Sequence, residues 1–121
     1  MNPENYDLLL IDDAEEWLEL LVEIASKGFS YKETTSLTEA LQLLNLHIFR
    51  LIVCDGLNHN WRKILGIAKA KNIPFILFSD SISSDVHHEA NANKFIAIDK
   101  NQGAGLNVLR TQIIRLFRLV E

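Results

Sequence analysis

Leu8-Leu9-Leu10-Ile11-Asp12-Asp13 decides the fold: four consecutive apolar residues run directly into two carboxylates. An apolar run without alternation is what a strand covered on both faces requires, as in a parallel sheet flanked by helices. The pattern returns three times. Leu51-Ile52-Val53-Cys54 ends in Asp55, Phe75-Ile76-Leu77-Phe78 ends in Ser79, and Phe95-Ile96-Ala97-Ile98 is followed by Asp99 and Lys100. In one parallel sheet the carboxyl ends of these runs share an edge, so Asp12, Asp13, Asp55, Ser79 and Lys100 are expected to converge on one crevice.

The segments between the runs have helical period, which makes five βα pairs. Ala14, Trp17, Leu18, Leu21, Ile24 and Ala25 mark a first helix that Gly28 ends. Phe29-Ser30-Tyr31-Lys32-Glu33-Thr34 alternates apolar with polar and suits a half-exposed edge strand. Ser36-Leu37-Thr38-Glu39 is a capping box opening a second helix, and Trp61, Ile64, Leu65 and Ala68 mark a third. Residues 80–93 are weakly patterned, with Ile82, Val86 and Ala90 the clear apolar positions, so a fourth helix is expected to be short or loosely held. Leu106, Leu109, Ile113, Leu116, Phe117 and Val120 form the stripe of a last helix. Right-handed crossovers and an edge position for the second strand give a single five-stranded parallel sheet in the order 2-1-3-4-5, helices on both faces, of the flavodoxin-like (βα)5 class.

The 121 residues, 48% hydrophobic with five Gly and two Pro, fit a single domain spanning 1–121. Sixteen acidic against twelve basic residues give a net charge of −4, which argues against nucleic acid or an anionic membrane as partner. One cysteine, Cys54, lies within an apolar run, and no stretch reaches the roughly 20 apolar residues of a membrane span. The opening Met1-Asn2-Pro3-Glu4-Asn5 lacks a basic and apolar leader. A cytoplasmic protein is the expectation. His47, His59, His87 and His88 show no helical zinc spacing and are expected to be solvated, with Trp17 and Trp61 in or beside the core. Arg110, Arg115 and Arg118 are expected to form a solvated face.

Taken singly, the five residues have plain roles. Asp13 followed by Glu16 is a helix N-cap pattern, and Asp55, Ser79 and Lys100 suit caps and loops. Taken together they call for another explanation. Carboxylates about 4 Å apart repel by about 4 kcal/mol per pair at an effective dielectric near 20, so three of them must protonate in part or bind a cation. An all-oxygen set selects Mg²⁺, or Mn²⁺. A carboxylate can attack phosphorus when a metal and a fixed cation, here Lys100, neutralise the transferring oxygens, and the Ser79 hydroxyl is placed to bond one of them.

This constellation resembles the receiver domain of two-component response regulators, over nearly the whole chain. Tyr6-Asp7-Leu8-Leu9-Leu10-Ile11-Asp12-Asp13 is similar to the family's opening strand and acidic pair, and Leu51-Ile52-Val53-Cys54-Asp55 to its phosphoacceptor strand. The resemblance implies Asp55 as phosphoacceptor, Asp12 and Asp13 with Asp55 as metal ligands, Ser79 as switch hydroxyl and Lys100 as the family's lysine. It further implies a histidine kinase or phosphotransfer protein as donor. The output is expected through protein contacts of the face formed by the fourth helix, fifth strand and fifth helix.

Departures from the family pattern give four candidate modulators. Asp55-Gly56-Leu57-Asn58-His59-Asn60 runs almost directly to Trp61, so the loop that lends a carbonyl to the metal, with Gly56 and Leu57, is shortened. Asp80 follows the switch hydroxyl where the family favours a very small residue, and slow phosphorylation follows if it points inward. Ala97 replaces the family's switch aromatic, and Asn101 its proline. A degenerate receiver acting without phosphorylation is the alternative. An enzyme is not expected: a phosphatase using Asp55 would need a general acid and a substrate lid, for which such short loops leave little room.

Overall fold

Leu8 and Leu10 face one helical layer while Leu9 and Ile11 face the other, and none of the four is more than 1% exposed. Both faces of this strand are therefore covered, which is why its sequence does not alternate. A computed structural model describes residues 4–80, 82–101 and 104–120, side chains 119 and 120 apart. Its elements are β1 (Asn5–Ile11), α1 (Glu15–Ala25), β2 (Tyr31–Thr34), α2 (Leu37–Leu46), β3 (Ile48–Cys54), α3 (Trp61–Lys71), β4 (Phe75–Ser79), α4 (Ser84–Asn93), β5 (Ile96–Asp99) and α5 (Gly105–Val120). The five strands form one parallel sheet in the order β2-β1-β3-β4-β5, as the sequence predicts.

On one face Leu18, Leu21 and Ile24 of α1 and Leu109 and Ile113 of α5 close over Leu8, Leu10, Val53, Ile76 and Phe78. On the other, Ala40 and Leu44 of α2, Ile64 and Ala68 of α3 and Ala90 of α4 close over Leu9, Ile11, Ile52 and Leu77. Each such buried aliphatic side chain contributes about 1.5–3 kcal/mol. β2 is a half-exposed edge strand with Thr34 alone buried. Ser36 caps α2, its hydroxyl accepting the Glu39 N–H at 3.2 Å. Val120, placed on the α5 stripe from the sequence, lies outside the described side chains.

Two expectations are refined and one is corrected. β3 starts three residues before Leu51, because Ile48 and Phe49 pair with Asn5 and Tyr6. α4 is a full ten residues, although Ala90 is its one buried residue among those described. Its side-chain contacts to α3 are polar and exposed: Arg62 donates twice to Glu89 (3.2 and 2.9 Å), and Lys69 Nζ donates to Asn93 Oδ1 at 2.7 Å. His47 is not solvated like His59, His87 and His88; its ring packs edge-on against Tyr6 and Phe49 with Nδ1 buried. Trp61 is buried against Phe75 and Phe95, and Arg110, Arg115 and Arg118 are exposed. Among the described residues no helix is long and apolar enough to cross a membrane.

Candidate functional site

Register brings the polar ends together. Ile11 pairs with Cys54, and the Asp55 N–H donates to Ile11 O at 2.8 Å, so Asp12 and Asp55 emerge side by side. Ser79 pairs with Asp99, and the Lys100 N–H donates to Ser79 O at 2.8 Å, which sets Lys100 beside Ser79 on the same edge. Gly105 lets α5 start against this edge: a β-carbon there would lie 2.7 Å from Asp99 O and 2.9 Å from Lys100 O.

The Lys100 ammonium sits 2.7 Å from Asp12 Oδ2 and 2.7 Å from Asp55 Oδ1. The contact to Asp55 is a hydrogen bond. That to Asp12 is a charge contact outside hydrogen-bond geometry, which leaves Asp12 Oδ2 buried without a hydrogen bond among the described residues. Asp12 Oδ1 accepts the Ala14 N–H at 3.0 Å, and Asp55 Oδ2 accepts the Leu57 N–H at 3.1 Å. Ala14, not Asp13, is the N-cap of α1 and makes no side-chain cap, so the plain capping role of Asp13 is not realised. Asp13 instead offers an oxygen within 4.8 Å of oxygens on Asp12 and Asp55.

Burial raises the Asp12 carboxyl above its ordinary value, with Lys100 offsetting part of the rise. Partial burial, then closeness to Asp55, raises Asp13. Burial also pushes Asp55 upward, but hydrogen bonds from Lys100 and the Leu57 N–H outweigh it and hold Asp55 below its ordinary value. Lys100 loses hydration by burial and regains more from its two carboxylate partners, ending raised. Three carboxylates against one ammonium leave two negative charges when all are ionised, a deficit that a divalent cation would offset. The oxygen-only donor set fits Mg²⁺ or Mn²⁺.

Ser79 is buried at this edge, and a β-carbon at Gly56 would lie 2.9 Å from its hydroxyl oxygen. The shortened loop turns by an uncommon route. Leu57, Asn58 and His59 have φ of 50°, 55° and 74°, a left-handed turn closed by the Asn60 N–H on Leu57 O at 3.0 Å. For side chains other than glycine this conformation costs about 1–2 kcal/mol per residue. Asp80 is exposed and stands outside the group of three carboxylates. Ala97 packs against the layer of α2, α3 and α4 with no aromatic ring of its own.

Two site residues escape the sequence reading. The Trp17 ring lies 5.0 Å and the Phe78 ring 5.8 Å from Lys100 Nζ, and the two rings meet edge-on at 5.6 Å. The signal was present, since Trp17 is one helical turn past Asp13 and Phe78 directly precedes Ser79, but core packing explains either ring equally well from sequence.

No protein-family model and no curated protein sequence matches the chain. Solved structures do. The Francisella response regulator 1452 receiver domain is 21% identical with a TM-score of 0.75, covering 99% of this chain and 100% of its own. An orphan response regulator of H. pylori is 20% identical with a TM-score of 0.75, covering 97% of this chain and 98% of its own. A CheY-like receiver domain protein from Methanospirillum hungatei JF-1 is 14% identical with a TM-score of 0.73, covering 97% and 96%. With one five-stranded parallel sheet in common over nearly the whole length, the chain has the fold of response regulator receiver domains.

Proposed function

We propose that this chain is a phosphoacceptor receiver: Asp55 takes a phosphoryl group from a histidine kinase or phosphotransfer protein, and the change is passed on by protein contact. The observation that carries the reading is the ammonium of Lys100 lying 2.7 Å from both Asp12 and Asp55. An oxygen of Asp55 forms the new O–P bond as the N–P bond of a phosphohistidine breaks and the imidazole departs. Mg²⁺ held by Asp12, Asp13 and Asp55 would neutralise phosphoryl oxygens. Lys100, charged and adjacent to Asp55, supplies the positive partner for another phosphoryl oxygen, and the Ser79 hydroxyl a hydrogen bond to a third. The Leu57 N–H donates to the same carboxylate at 3.1 Å, which helps fix the acceptor's orientation. Output is assigned to the face of α4, β5 and α5. Ala97 stands where an aromatic switch would, so the output does not run through an aromatic ring at that position.

The test is direct. After incubation with Mg²⁺ and a small phosphodonor such as acetyl phosphate, the intact protein should gain the mass of one phosphoryl group, and Asp55→Asn should not. An adduct that persists in Asp55→Asn overturns the assignment, and no adduct in the wild type leaves the phosphorylation-independent interaction module as the reading.

A further inference from the structure

We infer that Trp17 is a positioning residue that governs how readily the carboxylate pocket gives up its internal cation, Lys100, for an incoming divalent one. This rests on the reading that Asp12, Asp13 and Asp55 hold such an ion. The Lys100 side chain is only 3% exposed, with carboxylate oxygens at 2.7 Å on one side and the rings of Trp17 and Phe78 at 5.0 and 5.8 Å on the other. Trp17 and Phe78 cross at 82° and so form an aromatic corner around the ammonium. A cation within about 6 Å of an aromatic face is attracted to it, and more strongly where water is excluded. A divalent ion held by Asp12, Asp13 and Asp55 would compete with Lys100 for the negative charge of Asp12 and Asp55. Whatever stabilises the ammonium among them therefore favours the metal-free arrangement and weakens metal binding by the same factor.

Trp17 is half-buried on α1 and adds apolar packing to the layer of α1 and α5, which leucine can supply in part. Phe78, by contrast, is wholly buried in that layer and is not a usable probe.

The experiment compares wild type, Trp17→Leu and Trp17→Phe. Mg²⁺ affinity is measured by calorimetry, and the ¹H–¹⁵N signal of the Lys100 ammonium is recorded in the metal-free protein. Removing the indole should tighten Mg²⁺ binding about five- to thirtyfold, the size of effect expected from one cation–aromatic contact shielded from water, with Trp17→Phe between. The ammonium signal, shifted upfield by the ring faces in wild type, should move downfield in Trp17→Leu and less in Trp17→Phe. A folded Trp17→Leu with unchanged or weaker Mg²⁺ affinity overturns the inference, as does an ammonium signal that does not move. If Trp17→Leu fails to fold, Trp17→Phe carries the test with the same signs. Absence of Mg²⁺ binding in all three proteins overturns the metal reading and the exchange with it, whereas a static ammonium signal beside normal Mg²⁺ binding removes the role of Trp17 alone.

Discussion

Gly56 and Ser79 are in mutual contact range across two loops: a β-carbon on the glycine would stand 2.9 Å from the serine hydroxyl. Gly56 has φ −60°, so alanine fits the backbone and the conflict falls on a side chain that can rotate away. Gly56→Ala should therefore cost less than about 1 kcal/mol of stability. It should slow phosphoryl uptake severalfold by turning the hydroxyl out of the pocket. In a double-mutant cycle, Gly56→Ala should add little to Ser79→Ala, since the group it displaces is already gone.

Lys100 balances two buried carboxylates, and removing it leaves them facing one another. Lys100→Met should lose about 3–5 kcal/mol near neutral pH by urea denaturation. Part of that loss should return in mild acid, because the unpaired carboxyls then take up protons. Millimolar Mg²⁺ should also restore part of it.

The folded-state value of Asp13 is raised above 3.8, so its favourable contribution is present below that pH and is lost as pH rises through the raised value. At neutral pH the ionised group is a net burden on the metal-free fold. Asp13→Asn should thus stabilise the metal-free protein, by about 0.5 kcal/mol or less because the residue is exposed and screened. Its Tm should rise slightly, and the further rise on adding Mg²⁺ should shrink.

Two glycines in helices should respond in opposite directions. Gly105→Ala pushes a methyl against the carbonyls of Asp99 and Lys100, backbone atoms that cannot swing aside, and should cost about 1–3 kcal/mol. Gly66 is exposed in the middle of α3, with nothing within 4 Å of the place a β-carbon would take, and Gly66→Ala should gain up to about 1 kcal/mol. Thermal unfolding of the pair decides both.

Cys54 is wholly buried, and burial first, then the charges of Asp55, Asp12 and Asp13, raise its thiol well above the ordinary value. The thiolate is the reactive form, so iodoacetamide should leave the native protein unmodified at mildly alkaline pH. In urea the same reagent should add one carbamidomethyl group by intact mass.

The parallel sheet, its strand order and the five residues at its carboxyl edge are legible in the amino-acid pattern alone. Runs such as Leu8-Leu9-Leu10-Ile11 are apolar at every position, and only a strand covered on both faces tolerates that. The edge then follows from chain direction alone. What tertiary structure decided is finer and non-local. Asp13 was legible as a cap, yet Ala14 holds that place, because Asp12 turns its carboxylate onto the Ala14 N–H. α4 had too few apolar residues to be read as a full helix, and its polar partners, Arg62 and Lys69, lie on another helix. The left-handed turn at Leu57, Asn58 and His59 opposes the local preference of all but asparagine, and is stabilised by the Asp55 carboxylate and the Asn60 N–H. The aromatic corner about Lys100 joins residues 17, 78 and 100, and a periodic pattern records only that each ring is apolar, not which charge it faces.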